Sequence, residues 1–356
     1  MSNIFNTLIK EIDNDYAAIA DDGIAAGDVS GFVDTGSYAM NALLSGSIYG
    51  GMPQNKVSAL AGEPSVGKTY YTLNICFQFL KDNPNGFIFY FESESAISRQ
   101  MLVDRGIDVK RLAIIPVSTV QEFRTQAVKI LDRYVEQKSA DRPPMLFVLD
   151  SLGNLSTEKE MEDIAKGEDK RDMTRAQLVR GAFRVLTLKL GKANVPLIVT
   201  NHVYDVVGSY VPTKKMGGGS GLEYAASSII FLSKKKDKKL DDSVGVRTGT
   251  VITAHLKKSR LTIEDKKVET WLNYHKGLDR YYGLLDIGER AGIIKKVSTK
   301  YEFPDGTKGF ESDVKKNPEL YFTKDVLDRI DAFCKTEFCY GQPDGVDEDI
   351  EEETVE

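Results

Sequence analysis

The apolar positions of this chain alternate between two rhythms. Short continuous runs end in small or polar residues, and segments with apolar positions every three or four residues follow them. Val57–Ala61 (VSALA) is the first such run, and Tyr71–Leu80 follows with helical spacing. Gly86–Phe91 (GFIFYF) suits a strand buried on both faces and leads into Glu92-Ser93-Glu94. Ile97–Arg105 reads as a helix, Leu112–Pro116 as a third strand, and Val120–Glu136 as a helix with Phe123, Ala127, Ile130, Leu131 and Tyr134 on its apolar positions. Met145–Asp150 (MLFVLD) is a strand ending in an acid. Met173–Leu190 predicts a helix, and Pro196–Thr200 a strand closed by Asn201-His202. Strands follow at Ser228–Leu232, Gly249–His255 and Val268–Tyr274, the first two flanking a basic turn, Lys234–Lys239.

Two stretches break the rhythm. Ser156–Asp172 is strongly charged and reads as a mobile loop with some helical character. Val203–Gly221 lacks a period and mixes aromatic, basic and glycine residues; long loops of this kind are usually functional or disordered. At the start, Ile4, Leu8 and Ile12 repeat every four residues, a face that either packs on its own domain or docks on a neighbouring subunit. Near the end, Gly283–Ile294 predicts a helix opening a small C-terminal domain. This continues through Tyr301-Glu302-Phe303 and a helix at Lys324–Thr336.

Chemistry enters between the first strand and the first helix. Gly62-Glu63-Pro64-Ser65-Val66-Gly67-Lys68-Thr69 fits the phosphate-binding pattern G-x-x-x-x-G-K-[ST], with Tyr70 next in the helix. Glycines let backbone N–H groups face an anion, Lys68 brings a cation to the outer phosphates, and the Thr69 hydroxyl is placed to ligate Mg²⁺. Strand, loop and helix is the order that a nucleotide site requires. Asp150, about 80 residues on, is placed at its strand end to hold the metal through water or directly. Glu92 and Glu94 lie where open α/β sheets hold their ligands. Asn201-His202 is either a γ-phosphate sensor or a capped strand end. Lys214 and Lys215 can neutralise phosphates, Gly217, Gly218 and Gly219 permit close backbone approach, and Tyr210 can contact a base.

Composition changes the picture in three places. Of 356 residues, 41% are hydrophobic and 28% charged, which is ordinary for a soluble chain of about two domains. No apolar run reaches the ~18 residues of a membrane span, and the start lacks the layout of a secretory signal. The three cysteines form no C-x-x-C pair, arguing for a reducing cytosol and against a disulfide framework or structural zinc. The net charge of −6 is concentrated: Asp344–Glu356 holds eight acids and no base, so the rest of the chain is slightly basic. That run reads as a disordered tail, either solubilising or competing with DNA for a basic channel.

Taken together, GGMPQNKVSALAGEPSVGKT, FYFESESAI, DSLGNLSTEKEMED, DMTRAQLV with FRVLT, and TNHVY with KKMGGGSG resemble the RecA-family recombinases, the phage UvsX-type strand-exchange proteins above all. The resemblance covers roughly 36–282. It implies an α/β fold: a RecA-like P-loop core (31–285) with a central, mainly parallel sheet flanked by helices. A small N-terminal segment (1–30), a small C-terminal domain (286–340) and the acidic tail (341–356) complete it. It also implies ATP and Mg²⁺, a helical filament on single-stranded DNA, pairing with homologous duplex, and helpers such as a single-stranded-DNA-binding protein and a recombination mediator. The implied setting is the cytoplasm of a phage-infected bacterium.

By position, Glu94 matches the glutamate that activates the attacking water, and His202 stands where the bacterial proteins carry a nucleotide-sensing glutamine. Lys258 and Arg260 match the basic pair that reaches a neighbour's ATP, and Tyr224 an aromatic at the subunit interface. The charged loops at 156–172 and 203–221 match the two DNA-binding loops, with Arg175, Arg180 and Arg184 beside the first. Met101 falls where the family often stacks a tyrosine on adenine; a thioether can still pack on a base. Three rival readings share parts of this pattern. A hexameric helicase would carry a long domain before the P-loop. A small-molecule kinase would need an arginine-rich lid. A binding-only paralogue would not need Lys68, Thr69, Glu94 and Asp150 intact.

Overall fold

The computed structural model describes residues 3–12, 20, 24, 27–168, 172–205, 214–235 and 248–340. Tyr210, most of the basic turn at 234–239 and the acidic tail lie outside the described residues. In chain order the first elements are helix α1 (Asn3–Glu11), strand β1 (Phe32–Val33), helix α2 (Tyr38–Ser45) and strand β2 (Met52–Pro53). The central elements are β3 (Val57–Gly62), α3 (Lys68–Asp82), β4 (Phe87–Glu92), α4 (Arg99–Asp104), β5 (Leu112–Pro116), α5 (Val120–Val135), β6 (Met145–Asp150), α6 (Glu158–Ala165) and α7 (Arg175–Ala193). Then come β7 (Leu197–Asp205), β8 (Lys214–Met216), α8 (Ser220–Ala225), β9 (Ser228–Lys234), β10 (Gly249–Ser259), β11 (Lys267–Asn273) and β12 (Gly277–Leu278). The chain closes with α9 (Leu284–Arg290), β13 (Lys295–Val297), β14 (Lys300–Glu302), β15 (Lys308–Phe310), α10 (Glu311–Lys316), α11 (Pro318–Tyr321) and α12 (Lys324–Phe338).

The main sheet runs β12-β11-β10-β9-β3-β7-β6-β4-β5. From β9 to β5 all neighbours are parallel, whereas β9 to β12 pair antiparallel and extend one edge. The interior parallel strands β3 and β6 are buried on both faces, which explains their continuous apolar runs, whereas β5 at the edge buries only Leu112. In β6 every residue is buried. Leu146 and Val148 point into one apolar cluster, Met145, Phe147 and Leu149 into the other. The first cluster holds α2, α3 and the C-terminal helix α12; the second holds α5 and α7. Phe91 joins the second, edge-to-face with Phe123 of α5 at 5.1 Å and Phe147 of β6 at 5.4 Å.

The structure departs from the sequence-based expectation where chemistry concentrates. Residues 156–172 contain a true helix, α6, started by a capping box: the Thr157 hydroxyl accepts from the Glu160 N–H and the Glu160 carboxylate accepts from the Thr157 N–H. β7 runs on to Asp205 instead of ending at Thr200, because Val203–Asp205 pair antiparallel with Lys214–Met216. The second long loop therefore starts on a strand pair. The small sheet β13–β15 carries no readable alternation, since each strand has three residues and β13 is exposed throughout.

Candidate nucleotide and nucleic-acid site

Register brings the chemistry to one edge. Gly62 of β3 lies level with His202 of β7, and Glu92 of β4 level with Asp150 of β6. The carboxyl ends of four parallel strands thus converge, as open α/β sheets arrange their ligand sites. Between β3 and α3 the chain turns sharply, with φ of +60° at Ser65 and +111° at Gly67. At Gly67 a side chain would be strained and would also meet Leu272 at 2.9 Å, so the glycine of the motif is needed for shape and for room.

Lys68 is buried, with its ammonium against the loop: it donates to the carbonyls of Gly62 and Glu63, both at 3.0 Å, and lies 3.3 Å from His202 Nδ1. Burial pulls its pKa below the ordinary lysine value, against the attraction of Glu94 and Asp150. An ammonium has no lone pair, so Nδ1 is the acceptor and His202 carries its proton on Nε2. That Nε2 lies 3.2 Å from Glu94 Oε1, which also accepts from Ser151 Oγ at 2.7 Å. Burial works to raise the Glu94 pKa. The hydrogen bonds from Ser151 and His202 and the nearby Lys68 charge outweigh it and hold the carboxyl below its usual range. Glu92 is differently employed: its carboxylate accepts the N–H groups of Glu94, Ser95 and Ala96 at 2.8 to 3.0 Å. It anchors the turn that presents Glu94.

Asp150 is buried and accepts from Tyr90 Oη at 2.7 Å and from the Thr200 hydroxyl. Each carboxylate oxygen keeps a further lone pair. The Thr69 hydroxyl has no partner among the described residues. Among the described residues no group of three or more His, Cys, Asp or Glu side chains could hold a metal ion. The donor set of Thr69 and Asp150 thus fits a cation held largely by water and phosphate oxygens, as Mg²⁺ is. Met101 is half-buried against the first apolar cluster, as is Tyr70.

The second loop is tied to this edge. Asn201 is buried; its amide donates to the Gly217 carbonyl at 2.9 Å, and its oxygen accepts from the His202 N–H. The Gly217 N–H donates to the His202 carbonyl at 3.0 Å. Beyond it, Gly218 and Gly219 both take positive φ, +85° and +78°. Lys214 pairs with Glu63 of the phosphate loop, and that contact lowers the Glu63 pKa and raises that of Lys214. Lys215 is exposed and has no side-chain partner among the described residues.

The remaining basic residues separate by role. The Arg175 guanidinium donates to the carbonyls of Leu155, Leu152 and Gly153, bracing the chain after β6. Arg180 donates to Ser220 Oγ at 2.9 Å and lies 5.7 Å over the Tyr224 ring. Arg184 is exposed with no side-chain partner among the described residues. Lys258 donates to the Glu223 carbonyl and Arg260 to the Tyr224 carbonyl at 3.0 Å, both outside the P-loop, while Tyr224 itself is 67% exposed. Burial and the Arg260 charge lower the Lys258 pKa. No sequence signal marks Tyr90, Ser151, Thr200 or the Glu63–Lys214 pair, because each partner comes from a distant strand end. Among the described residues no helix is long and apolar enough to cross a membrane.

Comparison with known proteins shows what the chain is similar to. The family model of the RecA N-terminal domain matches residues 4–279. The "Recombination and repair protein" of Enterobacteria phage T4 is 31% identical over 257 residues, 72% of this chain. That match spans 63% of the phage protein's length. "Protein RecA" of Cereibacter sphaeroides is 26% identical over 325 residues, 89% of this chain and 88% of that protein. "Protein RecA" of Bacteroides thetaiotaomicron is 26% identical over 294 residues, 81% of this chain and 84% of that protein. With the family model matching more than half of its length, the chain belongs to the RecA family.

Proposed function

We propose that this protein is an ATP-dependent DNA recombinase. It assembles as a filament on single-stranded DNA, pairs it with homologous duplex and exchanges strands, in recombination, repair and recombination-dependent replication. The observation that carries the reading is the Lys68–His202–Glu94 chain of polar contacts, continued by Asn201 into Gly217 of the second loop. One set of hydrogen bonds joins phosphate loop, water-activating carboxylate and DNA loop.

In this mechanism the backbone N–H groups of Ser65 to Thr69 cradle the triphosphate, and the Lys68 ammonium exchanges its neutral carbonyl partners for charged phosphate oxygens. Glu94, kept ionised, orients a water and accepts its proton. Thr69 and Asp150 would hold Mg²⁺, which neutralises phosphate charge when bound. Lys258 and Arg260 of the adjoining copy bring cations to the transferring phosphoryl group, with Tyr224 at the same junction. His202 loses its Lys68 contact as the lysine moves, and the strand pair β7–β8 transmits that loss to Gly217. Arg180, Arg184, Lys214 and Lys215, with Gly217 to Gly219, hold the DNA backbone. A single-stranded-DNA-binding protein and a mediator are expected to assist loading.

The test is ATP hydrolysis by the purified protein with and without single-stranded DNA. Strong stimulation, with filaments by electron microscopy, is expected. Hydrolysis indifferent to DNA would sink the reading, and closed rings would favour a helicase.

A further inference from the structure

Tyr70 follows Thr69 directly, so its Cα lies about 3.8 Å from that of the residue assigned to the phosphate end. Its ring is covered by an arginine from another element. Arg105, just after α4, places its guanidinium carbon 3.9 Å from the Tyr70 ring centroid. Arg105 Nη2 also donates to the Tyr274 carbonyl at 3.3 Å, just past the end of β11. Among the described residues this guanidinium makes no ion pair and no other hydrogen bond. Met101, one helical turn before it, packs with Tyr70 against the first apolar cluster. Arg105 is half-buried, so the plate is partly open to solvent.

A guanidinium centred over an aromatic ring is a flat, weakly hydrated cation whose second face can take another π-system. An arginine held in this way beside a phosphate loop, with no carboxylate to neutralise it among the described residues, has charge and surface to spare for a ligand. We propose that Arg105 selects the base of the nucleotide. Backed by Tyr70 and tethered by Tyr274, its guanidinium is the surface on which a purine stacks, with the Met101 thioether at the edge. This inference rests on the nucleotide reading of residues 62–69. Stacking area is larger for two fused rings than for one, so the plate favours purine over pyrimidine triphosphates. It reads no exocyclic group and treats adenine and guanine nearly alike.

The test is calorimetric titration of the full-length protein with ATP, GTP, CTP and inorganic tripolyphosphate, each with Mg²⁺. The wild type should bind ATP and GTP with similar affinity and CTP about tenfold more weakly. Arg105→Ala should weaken ATP to the level of CTP. Arg105→Lys should do the same, because it keeps the charge and loses the plane. Tripolyphosphate reports the phosphate loop without the base. If it fails to bind the wild type, the phosphate-loop reading falls and this inference with it. If it binds but Arg105→Ala keeps the ATP-to-CTP ratio, the inference alone is wrong. The inference fails equally if Arg105→Lys preserves the ratio, or if Arg105→Ala weakens tripolyphosphate by the same factor as ATP, which would mark a purely structural role.

Discussion

Three side chains, Lys68, His202 and Glu94, dominate the residue scale, because they form one chain of polar contacts. Lys68→Ala removes the cation from the outer phosphates and should abolish hydrolysis; near-normal turnover would refute the phosphate-loop assignment. Glu94→Gln preserves acceptors for Ser151 and His202 but cannot take a proton. It should bind ATP with little change and lose about 10²- to 10⁴-fold in kcat. The acid limb of stability follows from the same residue. Against burial, hydrogen bonds from Ser151 and His202 and the Lys68 charge hold the folded Glu94 carboxyl below its ordinary range. Its stabilising contribution is therefore present above the unfolded value and lost as pH falls through the lower folded one. Melting curves from pH 6 to 3 should show wild type losing its advantage over Glu94→Gln in that window. A constant difference across the range would contradict the assignment.

Elements decide which basic residues are available. The pairing of β7 with β8 places Lys214 and Lys215 on successive residues of one strand, so their side chains leave on opposite faces. Lys214 meets Glu63, while Lys215 stays free of side-chain partners among the described residues. Lys215→Ala should lower the salt slope of DNA binding by about one. Glu63→Ala, by releasing Lys214, should raise it. Equal slopes for both variants and the wild type would exclude these lysines as phosphate contacts. Asn201→Leu removes the amide that ties β7 to the part-buried Gly217 carbonyl, costing about 1 kcal/mol. Its ATPase should respond less to single-stranded DNA, measured as the ratio of rates with and without it.

Across the molecule as a whole, the sheet works as a partition. One apolar cluster is continuous from α2 and α3 to the C-terminal helix α12, so that helix is part of the core's packing. A polar clasp reinforces it: Asp331 of α12 accepts from the Ser47 hydroxyl at 2.6 Å and the Ile48 N–H at 2.8 Å, and pairs with Lys335 at 3.0 Å. Asp331→Ala strands a buried N–H and should lower unfolding stability by about 1–3 kcal/mol, read from the urea midpoint. An unchanged midpoint would show the clasp to be dispensable. Within the antiparallel extension β9–β12, Lys258 lies near the end of β10 and Arg260 directly follows it, away from this copy's own P-loop.

The strand–loop–helix order, the phosphate motif and the acids at strand ends are legible along the chain without its fold. Those features are local: continuous apolar runs demand burial on both faces, and glycine spacing demands a left-handed turn at Gly67. Met145–Asp150 has the bounds its apolar run predicts for that reason; Leu112–Pro116 also has its expected bounds, but as the sheet's edge strand with only Leu112 buried. The division of labour among the site residues, by contrast, exists in the folded chain alone. Glu92 and Glu94 look alike along the chain; in the fold one turns back onto the N–H groups of Glu94, Ser95 and Ala96, and the other meets Ser151 and His202. Lys214 and Lys215 are likewise equivalent until β8 pairs with β7. Asp150 meets Thr200, Glu63 meets Lys214, and Arg105 meets Tyr70 across gaps of tens of residues or more. Such encounters are set by how parallel strands are ordered, and chain spacing carries no record of that order.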